Sequence, residues 1–253
     1  MGNQLEGRRV LVTGAARGLG RAIAVASAAA GADVALGVRD ETAVSGLVAE
    51  IEALGRRALP VRMDVTDLPQ SYAAIDRAIE EFGGLDVLVN NAGGGVPDRP
   101  IEEYTVDVFD SLIDLNVKST FFLSQYVGAH FIANGGGSIV NIGSQAGSVA
   151  LPGEAVYCLS KSAVAHLTKS FAVEWGVHGV RVNCVAPTFV RTDGTEEMLA
   201  DPAFEADVID RIAALHRIGE PREVADAVVF LASDGASLIS GETLHVDGGW
   251  TAR

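Results

Sequence analysis

Positive charge is what this 253-residue chain lacks most: 19 Lys and Arg stand against 33 Asp and Glu, a formal net charge of −14. The basic residues are scattered rather than clustered, which makes duplex DNA and anionic membranes poor partners. Cysteine is nearly absent. Cys158 and Cys184 each lie inside an apolar stretch, so core thiols are expected rather than a disulfide, and a reducing cytoplasm fits. The five histidines, His130, His166, His178, His216 and His245, show no metal-ligand spacing, and no metal is expected. No apolar run approaches the roughly 18 residues needed to span a bilayer. The start, MGNQLEGRRVLVTG, also lacks the apolar core of a signal peptide. Met1-Gly2 could open an acylation signal, but Glu6 stands where that signal wants Ser or Thr. These absences leave a soluble intracellular protein.

Apolar residues make up 48% and charged residues 21%, an ordinary globular balance. Short β-branched apolar runs recur at 10–12, 33–38, 58–63, 86–89, 138–142, 180–185 and 243–246, each of strand length. Segments with helical spacing lie among them, at 21–30, 43–54, 71–82, 106–133, 155–175 and 222–231. Alternation of this kind predicts a doubly wound, Rossmann-type α/β fold: a parallel sheet of about seven strands with helices on both faces. No Pro-rich or Ser-rich linker divides the chain, so a single domain is expected. Gly135-Gly136-Gly137 reads as a helix-to-strand turn. The stretch from Pro187 to Pro221 breaks the alternation, with Asp201-Pro202 and an amphipathic helix expected around 208–215. A long excursion beside a rigid sheet is usually functional, so 188–220 reads as a substrate lid; a plain surface excursion is the alternative.

Directly after the first strand comes Thr13-Gly14-Ala15-Ala16-Arg17-Gly18-Leu19-Gly20. Glycines at these positions let backbone amides approach a pyrophosphate, whose charge is favoured at a helix start. The spacing is Gly-x-x-x-Gly-x-Gly, not the commoner Gly-x-Gly-x-x-Gly fingerprint. Later strands end on Asp64-Val65, Asn90-Asn91-Ala92-Gly93, Gly143-Ser144 and Pro187. Ligands of open α/β sheets bind outside such ends. After the second strand, Val38 occupies the position where an acid would bind the adenosine 2′-hydroxyl, and Arg39 follows. Arg17 and Arg39 could hold a 2′-phosphate between them, which favours NADP(H), with NAD(H) as the alternative that Asp40 keeps open.

The segment Tyr157-Cys158-Leu159-Ser160-Lys161 places a phenol and an ammonium four residues apart, on one helix face. A cation there should lower the tyrosine pKa toward working pH and make Tyr157 a general acid or base. Ser144, at a strand end, is placed to hydrogen-bond a substrate oxygen, and Asn116 lies in the long helical segment beside the sheet. Together these motifs resemble those of the short-chain dehydrogenase/reductase superfamily, from Thr13 to Val246-Asp247-Gly248-Gly249.

The resemblance implies a catalytic tetrad of Asn116, Ser144, Tyr157 and Lys161. Tyr157 would move the proton while Ser144 orients the substrate oxygen. Lys161 would also bind the nicotinamide ribose, and Asn116 would hold a water joining Lys161 to solvent. It assigns Asp64 and Val65 to the adenine, Asn91, Ala92 and Gly93 to the adenosine side, and Pro187, Val190 and Thr192 to the nicotinamide. It also implies a homotetramer built on the long helices 106–133 and 155–175 and the C-terminal segment. Thr188 departs from the glycine usual after that proline.

The expected activity is hydride transfer between a nicotinamide cofactor and an alcohol or carbonyl substrate. Gln145 and Glu154, beside the presumed pocket, suit a sugar or polyol, although solvated loop residues would read the same way. A 3-oxoacyl-[acyl-carrier-protein] reductase is the main alternative. It would want a basic patch for its acidic carrier, for which Arg99 and Arg191 are the candidates, and the net charge of −14 argues against it. A nucleotide-binding regulator on the same fold is the alternative outside enzymes.

Overall fold

The computed structural model describes residues 3–252; Met1-Gly2, on which the acylation question turned, lies outside the described residues. Strands β1 (Arg9–Thr13), β2 (Asp33–Val38), β3 (Ala58–Arg62), β4 (Val87–Asn90), β5 (Gly137–Ile142), β6 (Val180–Pro187) and β7 (Thr243–Val246) form one sheet. Its order is β3-β2-β1-β4-β5-β6-β7 and every neighbouring pair is parallel. The helices are α1 (Gly18–Ala29), α2 (Ser45–Ala53), α3 (Leu68–Phe82), α4 (Val106–Ile113), α5 (Ser119–Ala133), α6 (Ala155–Trp175), α7 (Glu196–Leu199), α8 (Pro202–Arg211) and α9 (Pro221–Ala232). The expected doubly wound α/β sheet is the one observed.

Side-chain alternation along the strands divides the interior into two cores. Val10 and Val12 of β1 join α1, α2 and α9 on one face, whereas Leu11 joins α3, α5 and α6 on the other. Both faces are covered, which is why the strands read as continuous apolar runs. Chain order reverses direction across the sheet between β1 and β4, opening a crevice at the strands' carboxyl ends. Among the described residues no helix is long and apolar enough to cross a membrane.

Differences from the sequence expectation are local and have physical causes. Helix α1 starts at Gly18, not at 21, because the glycines Gly18 and Gly20 form its first turn. The expected helix 106–133 is divided by a π-helical turn at Asp114–Lys118. The excursion's main helix runs over Pro202–Arg211 rather than 208–215. Asp201 accepts a hydrogen bond from Ala203 N and Pro202 takes the first turn, so the dipeptide read as a break is the helix start. Cys184 is buried, but Cys158 is only half-buried on α6, so just one of the two thiols belongs to the core.

One polar chain crosses the apolar interior. Asn90 and Asn141 face each other in register on β4 and β5. Asn90 Nδ2 donates to Asn141 Oδ1 at 2.9 Å and to Ser124 Oγ of α5 at 2.9 Å. Asn141 Nδ2 donates to Thr168 Oγ1 of α6, also at 2.9 Å. All four residues are buried, so breaking the chain strands a donor away from water. Asn141→Ala is expected to lower unfolding stability by about 3 kcal/mol, read as a lower denaturant midpoint with an unchanged slope.

Candidate active site

The cofactor end is assembled from glycines that could not carry side chains. Gly14 and Gly18 adopt φ of 66° and 54°, the left-handed region that glycine enters freely. A Cβ on Gly20 would lie 2.2 Å from the Gly14 carbonyl oxygen. Arg17 precedes α1 in an extended conformation without a capping side chain, so the first amides of the helix stay open to an anion. Leu19 is half-buried beneath the loop and packs on the adjoining core. Thr13 Oγ1 accepts from the backbone N–H groups of Asn91 (3.0 Å) and Ala92 (2.9 Å), while Asn91 Nδ2 donates back to Thr13 O at 2.8 Å. The Asn91 amide is thus committed to supporting the glycine loop. These close approaches form a backbone cradle into which a dinucleotide fits.

Beside the glycine loop and after β2, Arg17 and Arg39 are exposed, and neither takes part in an ion pair among the described residues. Asp40 is turned elsewhere. Its Oδ1 accepts from Thr42 N (2.9 Å) and Thr42 Oγ1 (2.7 Å), capping the 3₁₀ turn that follows. Asp64 binds Thr66 in the same manner. The Thr66 hydroxyl and amide, with help from Arg39, hold the Asp64 carboxyl below its ordinary range despite partial burial. Val65 beside it is buried.

The chemical end lies at the tips of β4, β5 and β6. Lys161 is buried, and its Nζ donates to Ile142 O at 3.0 Å. The same nitrogen stands 5.7 Å from the centre of the Tyr157 ring, over its face. Asn116 sits within the π-helical turn. Its Oδ1 accepts from Gly94 N (3.0 Å), and its Nδ2 donates to Gly94 O (2.8 Å) and Ser160 Oγ (3.0 Å). Ser160 Oγ in turn donates to Tyr157 O at 2.8 Å. Gly93 lies so near that a Cβ there would meet Asn116 Oδ1 at 2.9 Å. Asn116, Tyr157 and Lys161 are therefore brought together, with Ser160 as the link between them. Ser160 was missed in the sequence, although it falls inside the Tyr-to-Lys run, three residues after Tyr157.

Ser144 joins this group in an unexpected state. Its hydroxyl donates to Gln145 Oε1 at 2.7 Å and accepts from Ala146 N at 3.1 Å. Gln145 is buried, so it is not a solvated loop residue; its amide oxygen takes the Ser144 proton that was expected to face a substrate oxygen. On the far side, Pro187 and Val190 are buried at the end of β6. Thr192 reaches across to the glycine loop: a Cβ on Gly18 would touch its side chain at 3.6 Å. Arg191 is paired with Glu205, and Arg99 lies over the Tyr104 ring. The two residues expected to form a basic patch are thus engaged separately.

Electrostatics in the site also depart from expectation. Burial pushes the Tyr157 hydroxyl up to about 12, although the Ser144 hydroxyl works in the opposite sense. Burial likewise pulls Lys161 down to about 8, partly offset by the Cys184 thiol. The ammonium does not depress the tyrosine as its spacing suggested, because it lies over the ring and bonds a carbonyl, where desolvation outweighs it. At neutral pH the pair is a phenol and an ammonium.

The matching family model, described as enoyl-(acyl carrier protein) reductase, covers residues 14–251. The chain belongs to the short-chain dehydrogenase/reductase superfamily. It is an NAD(P)-dependent oxidoreductase of CH–OH and carbonyl groups. It is 39% identical to 2-dehydro-3-deoxy-D-gluconate 5-dehydrogenase of Escherichia coli K12, covering 98% of this chain and 97% of that protein. It is also 39% identical to D-threitol dehydrogenase of Mycolicibacterium smegmatis, covering 99% of this chain and 95% of that one. Among solved structures, a gluconate 5-dehydrogenase from Burkholderia cenocepacia J2315 in complex with NADP and tartrate superposes with a TM-score of 0.93. That structure is 35% identical, over 98% of this chain and 97% of its own.

The ionisation state can be read directly. In the cofactor-free protein, the phenolate absorbance lost on Tyr157→Phe should stay silent through pH 10.0, the ordinary phenol value, and emerge only toward about 12. A Tyr157 signal at or below pH 10.0 would contradict the geometry described.

Proposed function

We propose that this chain is one catalytic domain that oxidises or reduces sugars or polyols with NADP(H), using Asn116, Ser144, Tyr157 and Lys161 as its catalytic tetrad. The observation that carries this reading is the gathering of Asn116, Lys161 and Tyr157 along the Gly93–Gly95 backbone, at the tips of the strands that adjoin the glycine cradle. The relatives that act on sugar acids and on threitol support the substrate class. An acyl-carrier-protein substrate is disfavoured, because Arg191 is already paired and acids dominate the chain.

The nicotinamide supplies or accepts the hydride at the substrate carbon. The chain's own residues handle the proton. In reduction, Tyr157 donates its hydroxyl proton to the developing alkoxide; in oxidation, it takes the alcohol proton back. Lys161, positive at neutral pH, must turn from the Ile142 carbonyl toward the tyrosine oxygen before it can stabilise the phenolate left behind. Ser144 must release Gln145 Oε1 before it can orient the substrate oxygen, so Gln145 sets how readily Ser144 is available. Asn116 fixes the Gly94 backbone. With both amide hydrogens of its side chain committed, Asn116 would hold the water that joins Lys161 to solvent through an acceptor, its Oδ1 or its main-chain carbonyl, the latter also accepting from Thr120 Oγ1.

Preference for NADP(H) over NAD(H) rests on two unpaired guanidiniums, Arg17 and Arg39, and on the diversion of Asp40 to Thr42, which removes the carboxylate that would repel a 2′-phosphate. Asp64 and Val65 bound the adenine, while Pro187, Val190 and Thr192 border the nicotinamide. The 188–220 excursion acts as a lid over the substrate. Exposed apolar side chains on α4 and α6, among them Phe109, Leu159 and Val173, suit the packing of subunits into a homotetramer, and two unpaired thiols fit a reducing cytoplasm.

Tyr157→Phe should reduce kcat by about 10²- to 10⁴-fold while nucleotide affinity, measured by calorimetry, stays within about twofold. Turnover at the parental rate would refute the assigned proton donor. Arg17→Ala combined with Arg39→Ala should raise the KM for NADP+ by about 10- to 100-fold and leave that for NAD+ nearly unchanged. Equal effects on both cofactors would refute the 2′-phosphate assignment.

A further inference from the structure

The substrate side of the crevice joins an apolar wall to a carboxylate that has no partner. Val149, Leu151 and Phe189 pack on the cluster formed by Leu199, Val208, Ile212, Ile218 and Trp250. Beside that wall, Glu154 precedes α6 by one residue and Tyr157 by one helical turn, half-buried and without a capping hydrogen bond. It is close enough that its charge acts on the Tyr157 hydroxyl. Asp98 stands alongside: a Cβ on neighbouring Gly153 would come within 2.8 Å of the Asp98 Cβ. Burial first, and then the Asp98 charge, push the Glu154 carboxyl above its ordinary range.

Cations that could compensate are engaged elsewhere. The lid's three arginines are each paired: Arg191 with Glu205 at 2.7 Å, Arg211 with Asp207 at 2.8 Å and Arg217 with Glu223 at 2.6 Å. Acidic residues outnumber basic ones along the lid. Arg99 lies 5.5 Å over the Tyr104 ring, with its Nε donating to Pro97 O. Lys161 is turned to the Ile142 carbonyl. A carboxylate brought into this crevice would meet Glu154 and Asp98, and the guanidinium nearest to them, that of Arg99, is laid over the Tyr104 ring. A hydroxyl would find in Glu154 an acceptor with both oxygens open.

We infer that the substrate is an uncharged polyhydroxylated alcohol or its carbonyl counterpart. The Glu154 carboxylate accepts a hydrogen bond from one of its hydroxyls, and Glu154 with Asp98 turns away sugar acids and acidic carrier proteins alike. This rests on the sugar and polyol reading of the site and narrows it. It also separates this chain from the relatives that act on sugar acids, whose substrates carry the charge that this mouth opposes.

The test compares alditols with the aldonates of the same carbon chains: threitol, xylitol and sorbitol against threonate, xylonate and gluconate, each with NADP+. The intact protein, Glu154→Gln and Asp98→Asn are assayed at low and high salt, with circular dichroism to confirm folding. The alditol series should show the higher kcat/KM in the parent. Glu154→Gln should lower the aldonate KM by about three- to tenfold while raising the alditol KM. Added salt should narrow the difference between the two series in the parent more than in Glu154→Gln, an effect that a purely structural role would not produce. A parental preference for aldonates, or a ratio that Glu154→Gln leaves unmoved, would overturn the inference. Absence of turnover with both series in a protein that still binds NADP+ would overturn the sugar and polyol reading itself, and the inference with it.

Discussion

Four buried polar side chains, running from Ser124 through Asn90 and Asn141 to Thr168, tie two strands to two helices in the middle of an otherwise apolar interior. Amides in such a place are costly unless satisfied, and their satisfaction is directional. Apolar packing alone would let α5 and α6 slide along the sheet by fractions of a turn; the amide bonds set one register. Ser124 lies two turns beyond Asn116, and Thr168 two turns beyond Lys161, each near the helix face of its partner. Locking the far ends of these faces places Asn116, Tyr157 and Lys161 at the strand tips. The site geometry is inherited from a joint in the core.

Burial produces the chemistry from the same arrangement. The pocket that excludes water around Lys161 weakens its hold on a proton, and the same exclusion strengthens that of Tyr157. Each group is therefore displaced from its solution behaviour before any ligand is present. Ser144 is held back in a similar way by Gln145. Ser144 and Lys161 each hold a hydrogen bond, to Gln145 and to the Ile142 carbonyl, with which a bound ligand would have to compete.

Much of this was legible in the chain. Apolar runs marked all seven strands to within a residue or two, because strands buried on both faces leave an unbroken signal. The glycine loop and the Tyr157 and Lys161 pair were readable because tight turns and shared helix faces depend on spacing. What failed to show depended on partners distant in sequence. Nothing near Ser144 announces that Gln145 will be buried and bonded to it. The π turn around Asn116 has no periodic signature, because it alters the helix by a single residue. Asn90 read only as a strand end and Asn141 drew no notice in the sequence, because their mutual bond exists only once β4 and β5 pair in register. The tyrosine's ionisation was misjudged because spacing reports proximity along a helix but not which way an ammonium turns.

The excursion at 188–220 is closed at its base. Val190 and Gly219 pair as an isolated parallel bridge, with Arg191 N donating to Gly219 O at 2.9 Å and Gly219 N to Phe189 O at 3.0 Å. The intervening residues therefore leave and re-enter the sheet region at nearly one point, and their length and composition exert little leverage on the strand tips behind them. Beyond Thr192, which touches the glycine loop, such a segment can change in length with little displacement of the strand ends from which it hangs.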